Sequence, residues 1–429
     1  NNNFAPRLGF AWDPTGAGKW AVRGGAGLYY SRIWTNFSGN SRFNPPFSLA
    51  VTLDARTPGQ NPNAVYGFGF TGSPLFARPL DARGGSTTLR PTAQTVDQNL
   101  VAPYVTEWFL GVQRQLPHNW MAEVNYLGSA GRKLLIRQEI NRFNGDLADG
   151  AFNRVNQSFA SIVHGFNAPN SIYHGLSTQM MKRFSNGYTV QAAYTFSRSI
   201  DTDSEPFGGG PGELQGTYNV ANIRLDRGNS AFDAKHRFAA SFIYELPFLR
   251  NDTGLAGRIL GGWQLGGIIS MQSGFPFTVT TSSDYNLDGV SSDRPNIVSS
   301  IGPIVGSSPR AFLNGAFGDP NALGSIFQPA AANTHGNLGR NTFRGPGYET
   351  FDISLLKAFR IPWFTSEGSK IEFRSEFFNI FNRVNLRAPS AGLGTYSAAT
   401  GLWSNRANFG KSTSSFDARQ IQFGIKLLF

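Results

Sequence analysis

The stretch that decides the fold is Ile421-Gln422-Phe423-Gly424-Ile425-Lys426-Leu427-Leu428-Phe429, at the end of the chain. Its apolar and polar residues alternate, and alternate residues of a β-strand point to opposite faces. One face would carry Ile421, Phe423, Ile425, Leu427 and Phe429, and the other Gln422, Gly424 and Lys426. A soluble sheet can show this alternation too. A strand of this kind that ends on an exposed aromatic residue nevertheless favours contact with lipid.

The composition separates this chain from both soluble proteins and helical membrane proteins. Of its 429 residues, 15% are charged and 14% are aromatic, with 37 Phe and 50 Gly, and the mean hydropathy is −0.25. So many large apolar rings exceed what a soluble surface tolerates, yet no window reaches the roughly 18 consecutive apolar residues of a spanning helix. Strands that are apolar on one face and polar on the other reconcile both facts.

Eleven segments fit a barrel-strand template of about ten alternating residues. In Tyr188–Ser197, Tyr, Val, Ala, Tyr and Phe alternate with Thr, Gln, Ala, Thr and Ser. The predicted strands are 6–13, 19–33, 103–116, 119–129, 171–184, 187–200, 235–246, 262–280, 350–361, 370–383 and 418–429. Short turns alternate with long Gly/Pro/Asn/Ser-rich connections, as periplasmic turns and extracellular loops do. We therefore predict an all-β fold, an antiparallel transmembrane β-barrel with long extracellular loops.

The charges and the strand count refine this prediction. Most strand charges fall on the face opposite the apolar residues, which predicts a polar lumen, because a lipid-facing Lys or Arg costs about 2–4 kcal/mol at the midplane. Lys357 falls in phase with apolar residues, so it needs a bulge or a position at the membrane interface. A closed single-chain barrel has an even number of strands and both of its ends in the periplasm. Eleven strands of which the first runs inward therefore cannot form a closed barrel alone. We expect residues 1–429 to be the C-terminal part of a barrel of about 22 strands.

Several longer stretches resemble a known family, the TonB-dependent receptors of the Oar-like type. They are Gly27–Arg32, Tyr126–Ser129, Gly131–Leu134, Tyr194–Asp201, Phe232–Phe238, Gly262–Leu265, Ser273–Phe277 and Glu376–Asn382. The resemblance implies a 22-stranded barrel in the outer membrane of a Gram-negative bacterium. An N-terminal plug would occlude that barrel, and the inner-membrane TonB complex would pull on the plug to energise uptake. We expect the plug and the TonB box in a longer polypeptide.

The partners expected from this resemblance are outer-membrane lipid, the TonB complex acting through the plug, and a ligand. The ligand would bind external loops and lumen-facing polar residues, because loops on a rigid scaffold carry specificity. Siderophore, oligosaccharide, peptide and cobalamin all remain open as its class.

The sharpest local motif is Asp284-Tyr285-Asn286-Leu287-Asp288-Gly289. Oxygen ligands at positions 1, 3 and 5 with Gly at position 6 match the start of a Ca²⁺-binding loop. The twelfth position is Pro295 instead of a bidentate Glu, so the motif is not an EF-hand. The candidate ligands of a structural Ca²⁺ are Asp284, Asn286, Asp288 and Asp293. The alternative is an Asx-rich turn.

Aromatic residues have two expected roles. Those near strand ends, such as Trp108 and Trp263, are typical of the girdles at the membrane interface. Those within the first long connection are better candidates for ligand contact. These candidates are Phe43, Phe47, Tyr66, Phe68 and Phe70.

Other function classes find little support in the sequence. The net charge of +11 is spread without a basic helix or run, so we expect no nucleic-acid partner. The five His residues are dispersed and no nucleophile elbow stands out, so we predict that the chain is not an enzyme. Two alternatives remain. A passive structural or adhesion barrel predicts no plug upstream, and a secreted all-β carbohydrate-active enzyme predicts solubility without detergent.

Overall fold

A computed structural model describes residues 3–44, 90–205, 219, 221–249, 254–290, 293–298, 309–322, 325–360 and 369–428. Eleven long strands in it pair antiparallel, each with its neighbours along the chain, in one sheet. They are β1 (Arg7–Trp12), β2 (Trp20–Tyr30), β3 (Tyr104–Gln115), β4 (Trp120–Arg132), β5 (Ser171–Ser185), β6 (Tyr188–Asp201), β7 (His236–Glu245), β8 (Trp263–Gln272), β9 (Tyr348–Arg360), β10 (Lys370–Phe378) and β11 (Gln420–Leu428). This order confirms the predicted all-β antiparallel fold with eleven barrel strands.

The pairing register gives the sheet one apolar face and one polar face. Residues directly opposite each other in an antiparallel pair share a face. Phe238 lies opposite Tyr194 and Met271, whereas its neighbour Arg237 lies opposite Thr195 and Gln272. On β11 the alternating apolar side chains of Ile421, Phe423, Ile425 and Leu427 are 44–77% exposed, so protein does not cover them. The apolar face is therefore the lipid face, and the polar face lines the lumen.

The two ends of the sheet differ in their connections. Turns join β1 to β2, β3 to β4 and β5 to β6 at one end, and the five long connections lie at the other. The long-connection end is therefore extracellular. Two predicted strands were too long. β8 ends at Gln272 because Pro276–Phe277 pairs with Phe343–Arg344 instead, and β10 ends at Phe378 because Asn379 turns with a φ of +50°.

Lysines on the lipid face lie at the short-turn rim. Lys357 sits in β9 without a break in register, so the bulge alternative is wrong and the position at the membrane interface stays a prediction. Its ammonium donates to the carbonyl oxygen of Gly261 and lies 5.1 Å from the centre of the Phe359 ring. Lys182 Nζ likewise donates to the Ser185 carbonyl at 2.8 Å and lies 3.6 Å from the Tyr188 ring centre. Turn carbonyls and rings thus replace water around both charges.

The described parts of the long connections fold together, and we call them the loop module. It consists of the described residues within 31–44, 90–103, 133–170, 202–205, 219–235, 273–347 and 379–419. Its short strands are Thr92–Val96, Leu135–Glu139, Ser161–Asn167, Gly228–Asn229, Pro276–Phe277, Asn296–Ile297, Phe327–Gln328, Phe343–Arg344, Thr395–Ser397 and Leu402–Ser404. Its helical turns are Thr35–Gly39, Asn40–Phe43, Ile223–Asp226 and Pro309–Asn314, and Leu255–Leu260 is a helix in the β7–β8 connection. No helix in the described ranges is long and apolar enough to cross a membrane.

The loop module has its own hydrophobic core, built from the last two long connections. The buried members are Phe277, Val279, Phe327, Leu338, Phe343, Leu393, Trp403 and Phe409. Backbone hydrogen bonds join the two connections, as from Leu393 N to Thr280 O at 2.7 Å. Because this core lies outside the sheet, the extracellular loops form a folded layer above the barrel wall.

Candidate functional site

A cavity of about 380 Å³ lies on the lumen face where β1–β5 approach the extracellular end. One row of the sheet runs through it, in which Arg7 lies opposite Gly27, Gly27 opposite Glu107, and Glu107 opposite Ser129. Tyr173 continues this row on β5. The rings of Tyr29, Phe109 and Tyr173 line the cavity. We call Arg7, Tyr29, Glu107, Phe109 and Tyr173 the lumen cradle.

Glycines shape the lumen cradle by letting its rings lie against the wall. A Cβ on Gly25 would come within 2.9 Å of the Phe109 ring, so only glycine leaves room for that ring. The guanidinium carbon of Arg7 lies 4.6 Å from the centre of the Tyr29 ring, a cation–π distance. The cradle therefore presents flat apolar surfaces beside one cationic and one anionic side chain. Such a surface stacks a ring and binds its polar substituents.

Buried ion pairs hold the loop module against the top of the wall. Arg340 binds the carboxylate of Asp201 at the end of β6, and its Nε donates to the Asp226 carbonyl at 2.7 Å. Arg294 binds the Asp226 carboxylate, and Arg344 binds that of Asp233. All three acids are at most 5% exposed at the side chain. Each pair joins the 273–347 connection either to the end of β6 or to the chain between β6 and β7.

The predicted calcium motif lies inside the loop module as a tight turn. The Asp284 carboxylate accepts from the backbone N–H groups of Asp288 at 3.1 Å and Gly289 at 2.8 Å. The Asp293 carboxylate accepts from those of Tyr285 at 2.6 Å and Asn286 at 3.1 Å. Gly289 has a φ of +93°, so glycine is required at this point of the turn. The motif thus brings all four predicted oxygen ligands into one turn.

Burial makes the ionised form of this turn costly. It raises the pKa of Asp293 to about 6, and it also raises the pKa of Asp284. One cation is already present, because Arg142 Nη1 lies 3.2 Å from the Asp288 carboxylate. Among the residues that the structure describes, no group of three His, Asp or Glu side chains has the spacing to hold a metal ion. The calcium site therefore stays a prediction.

The predicted ligand-contact residues lie mostly outside the described part of the chain. Phe47, Tyr66, Phe68 and Phe70 fall in the 45–89 stretch that is not described. Phe43 is 46% exposed at the end of a helical turn, and the Arg42 guanidinium carbon lies 4.5 Å from its ring centre. These five residues stay candidates for ligand contact.

The lumen cradle was not predicted from the sequence. Its rings occupy polar-phase positions of their strands, as Phe109 does between Glu107 and Gly111. An aromatic residue in the lumen register was the signal that could have revealed the cavity, since a girdle residue belongs to the lipid register.

Comparison with known proteins agrees with this architecture. A family model described as outer membrane beta barrel domain matches residues 1–422. No curated protein matches the sequence.

Among solved structures, the chain is similar to the outer membrane transporter YddB from Escherichia coli, with a TM-score of 0.47 and 12% identity over 100% of this chain and 40% of that one. The FrpB iron transporter from Neisseria meningitidis gives a TM-score of 0.42 and 10% identity over 99% and 39%. The ferric citrate transporter FecA gives a TM-score of 0.41 and 10% identity, over 99% of this chain and 38% of that one. The chain spans about two fifths of the length of these transporters.

The family match extends over nearly the whole sequence and agrees with the eleven-stranded sheet and its lipid face. It places the protein in the outer membrane of a Gram-negative bacterium. The chain belongs to the outer membrane beta barrel domain family.

Proposed function

We propose that residues 1–429 form the C-terminal half of the barrel of a TonB-dependent receptor of the Oar-like type, which takes up a ligand at the expense of inner-membrane energy. The sheet carries this proposal. Eleven strands follow each other in chain order with distinct edge strands, and eleven is half of the 22-stranded wall typical of outer-membrane transporters. The stretches that resemble the Oar-like receptors also support it, because two of them contribute to the folded loops. Asp233 of Phe232–Phe238 binds Arg344, and Phe277 of Ser273–Phe277 belongs to the core of the loop module.

The lumen cradle and the loop module supply the binding surface in this proposal. The cradle lies on the lumen face near the extracellular end, where a ligand from outside would arrive first. Its rings, with Arg7 and Glu107, suit a ligand that has a flat ring or sugar face and polar substituents.

Energised uptake is tested in the source organism with a gene deletion and a strain complemented with the full gene. Four probes are added to defined medium: a ferric siderophore, a maltooligosaccharide, a tripeptide and cyanocobalamin. Depletion from the medium is measured by mass spectrometry with and without a proton ionophore. We expect complemented cells to deplete one probe and the ionophore to abolish this depletion. Entry that persists with the ionophore would indicate a passive barrel instead.

The size of the native polypeptide tests the half-barrel separately. Its intact mass is measured in the outer-membrane fraction. We expect a species of roughly twice this length or more, because a closed wall needs about 22 strands and the plug adds further residues. A species of 46.7 kDa would contradict the 22-stranded assignment and favour a non-transporting or oligomeric barrel.

Truncating the rings of the lumen cradle is expected to weaken uptake. The Phe109→Ala/Tyr173→Ala variant of the full receptor should raise the half-saturating concentration of the transported probe about tenfold or more, as for aromatic anchors of binding sites. Leu110→Ala is the matched control, since Leu110 is 51% exposed on the opposite face, next to Phe109 in sequence. Equal uptake by the double variant and the control would exclude the cradle from the ligand path.

A structural Ca²⁺ in the Asp284–Asp293 turn predicts stabilisation by the metal alone. Calcium at about 100 times its Kd would add about 2.7 kcal/mol to the loop module. We expect CaCl₂ to slow protease cleavage of the loops relative to EGTA, MgCl₂ to have less effect, and Asp284→Asn/Asp293→Asn to abolish the difference. Asp319→Asn, an exposed loop acid, is the control. Identical cleavage in CaCl₂ and EGTA would favour the Asx-rich turn.

A further inference from the structure

A second pocket, of about 650 Å³, lies on the lipid face at the extracellular rim. Its floor is a row of three directly paired residues, Tyr126 on β4, Leu176 on β5 and Phe196 on β6. All three lie in the lipid register of the sheet. The pocket therefore opens toward the outer leaflet of the membrane and is separated by the wall from the lumen cradle.

The polar lining of this pocket is basic. His174, Arg198, Lys235 and Arg344 line it, and none of its lining residues is acidic. Arg344 already has a partner within the protein, because it binds the Asp233 carboxylate and donates to the Asp233 carbonyl at 2.8 Å. Arg198 and Lys235 are exposed, and Lys235 Nζ lies 5.8 Å from the centre of the Phe196 ring. Two cations thus stand beside an aromatic floor that faces lipid.

The imidazole of His174 is held in place against Tyr126 on β4. His174 lies directly opposite Arg198 in the register of β5 and β6. Its ring stacks on that of Tyr126, with centroids 6.1 Å apart, and its Nδ1 is 2.8 Å from the Tyr126 hydroxyl. Trp108 meets the same ring edge-on at 5.9 Å. The hydrogen bond uses Nδ1, and His174 is exposed and lines the pocket.

The opposite rim of the lipid face is built differently. There Lys182 and Lys357 are 1% and 3% exposed, and turn carbonyls accept from their ammoniums. Arg114, an exposed cation of that rim, has its guanidinium carbon 4.6 Å from the centre of the Trp20 ring. The cations of the extracellular pocket are thus exposed, whereas Lys182 and Lys357 at the opposite rim are buried.

We propose that the rim pocket binds the phosphate group of an outer-leaflet lipid, a phosphorylated glucosamine lipid of the lipid A class. Arg198 and Lys235 would supply charge-assisted hydrogen bonds to the phosphate, His174 would donate a further one, and Tyr126, Leu176 and Phe196 would contact the acyl chains below it. An aromatic floor beneath cations at the depth of the headgroups matches the two halves of such a lipid. The proposal rests on the outer-membrane location and is independent of what the receptor transports.

The test uses the full-length receptor purified in detergent and native mass spectrometry. The probes are bis-phosphorylated lipid A, the same lipid with both phosphates removed, and inorganic phosphate. We expect the phosphorylated lipid to bind more tightly than the dephosphorylated one, and inorganic phosphate not to displace it at equal concentration. Each cation near a charged lipid surface is expected to contribute roughly fivefold in affinity, so Arg198→Gln/Lys235→Gln should weaken binding about 25-fold.

The matched control is Arg114→Gln, which removes one cation from the same face at the opposite rim. Its affinity for lipid A should equal that of the unmodified receptor. Heat-modifiable mobility on gels establishes that each variant is folded. Equal affinity of the Arg198→Gln/Lys235→Gln variant and the unmodified receptor, equal binding of dephosphorylated lipid, or displacement by inorganic phosphate would each overturn the proposal. Loss of lipid binding in the double variant with uptake of the transported probe unchanged would support it and separate it from the transport proposal.

Discussion

Replacing Arg294 with methionine is expected to destabilise the loop module by about 3–5 kcal/mol and to leave the sheet assembled. The Arg294 side chain is 1% exposed, binds the Asp226 carboxylate, and donates to the Leu225 carbonyl at 3.1 Å. The variant keeps the volume of the side chain but removes the cation. The Asp226 carboxylate, 5% exposed, then stays buried without the Arg294 guanidinium, and the loss of that ion pair is the source of the cost.

Hydrogen exchange of the loop peptides measures this effect, and heat-modifiable mobility reports on the sheet. We expect faster exchange in segments around Asp226 and Leu338 only. Arg294→Met/Asp226→Leu should recover most of the lost stability, because an apolar pair replaces a buried ion pair at little cost. Arg406→Met is the matched control. Arg406 also joins two long connections, through Asp319 at 3.3 Å, but the two side chains are 32% and 54% exposed, so we expect less than about 1 kcal/mol. Equal exchange in Arg294→Met and Arg406→Met would show that the buried pair does not hold the module.

A stable loop module matters for binding because ordering a loop upon binding lowers affinity. The buried pairs of Arg294, Arg340 and Arg344 fix the 273–347 connection to the end of β6 and to the β6–β7 connection. If the proposed receptor function holds, the described part of the extracellular surface would be ordered before a ligand binds.

The barrel wall was predictable from sequence because its signal is local. A strand that faces lipid on one side must alternate between apolar and polar residues, so the sequence of Tyr188–Ser197 predicts both a strand and its two faces. The ends of strands are less local. The alternation continues past Gln272 toward Phe277, and only the pairing of Pro276–Phe277 with Phe343–Arg344 takes the chain off the sheet.

The loop module was not predictable because its contacts join residues far apart in sequence. Arg294 and Asp226 are 68 positions apart, and the core brings Phe277 and Val279 against Leu393 and Trp403. A single sequence without periodicity carries no pairing information for such contacts. The Asp284–Asp293 motif shows the intermediate case. Its local spacing predicted a turn rich in carboxylates, whereas the Arg142 guanidinium beside Asp288 arrives from another connection.

Introducing arginine at Phe423 is expected to destabilise the folded protein in a bilayer by about 2–4 kcal/mol, because the charge would enter the lipid. Phe423 is 68% exposed on the lipid face of β11, opposite Ser375. Gln422→Arg is the control, one residue away on the lumen face. Gln422 Nε2 already donates to the Glu376 carboxylate at 3.1 Å, so an arginine there gains an anionic partner. Denaturant titration of the full-length protein in lipid vesicles measures both variants.

The contrast between these two variants is a test of register as well as of the lipid face. Both substitutions add the same side chain to the same strand, so strand propensity and net charge change equally. Side chains alternate with a period of two, and a slip of one residue between β10 and β11 would place residue 422 in lipid and residue 423 in the lumen. The costs of the two variants would then be interchanged, whereas a soluble sheet would tolerate both because neither face would meet lipid. A large cost at 423 with little at 422 therefore requires both the membrane location and the pairing of Ser375 with Phe423.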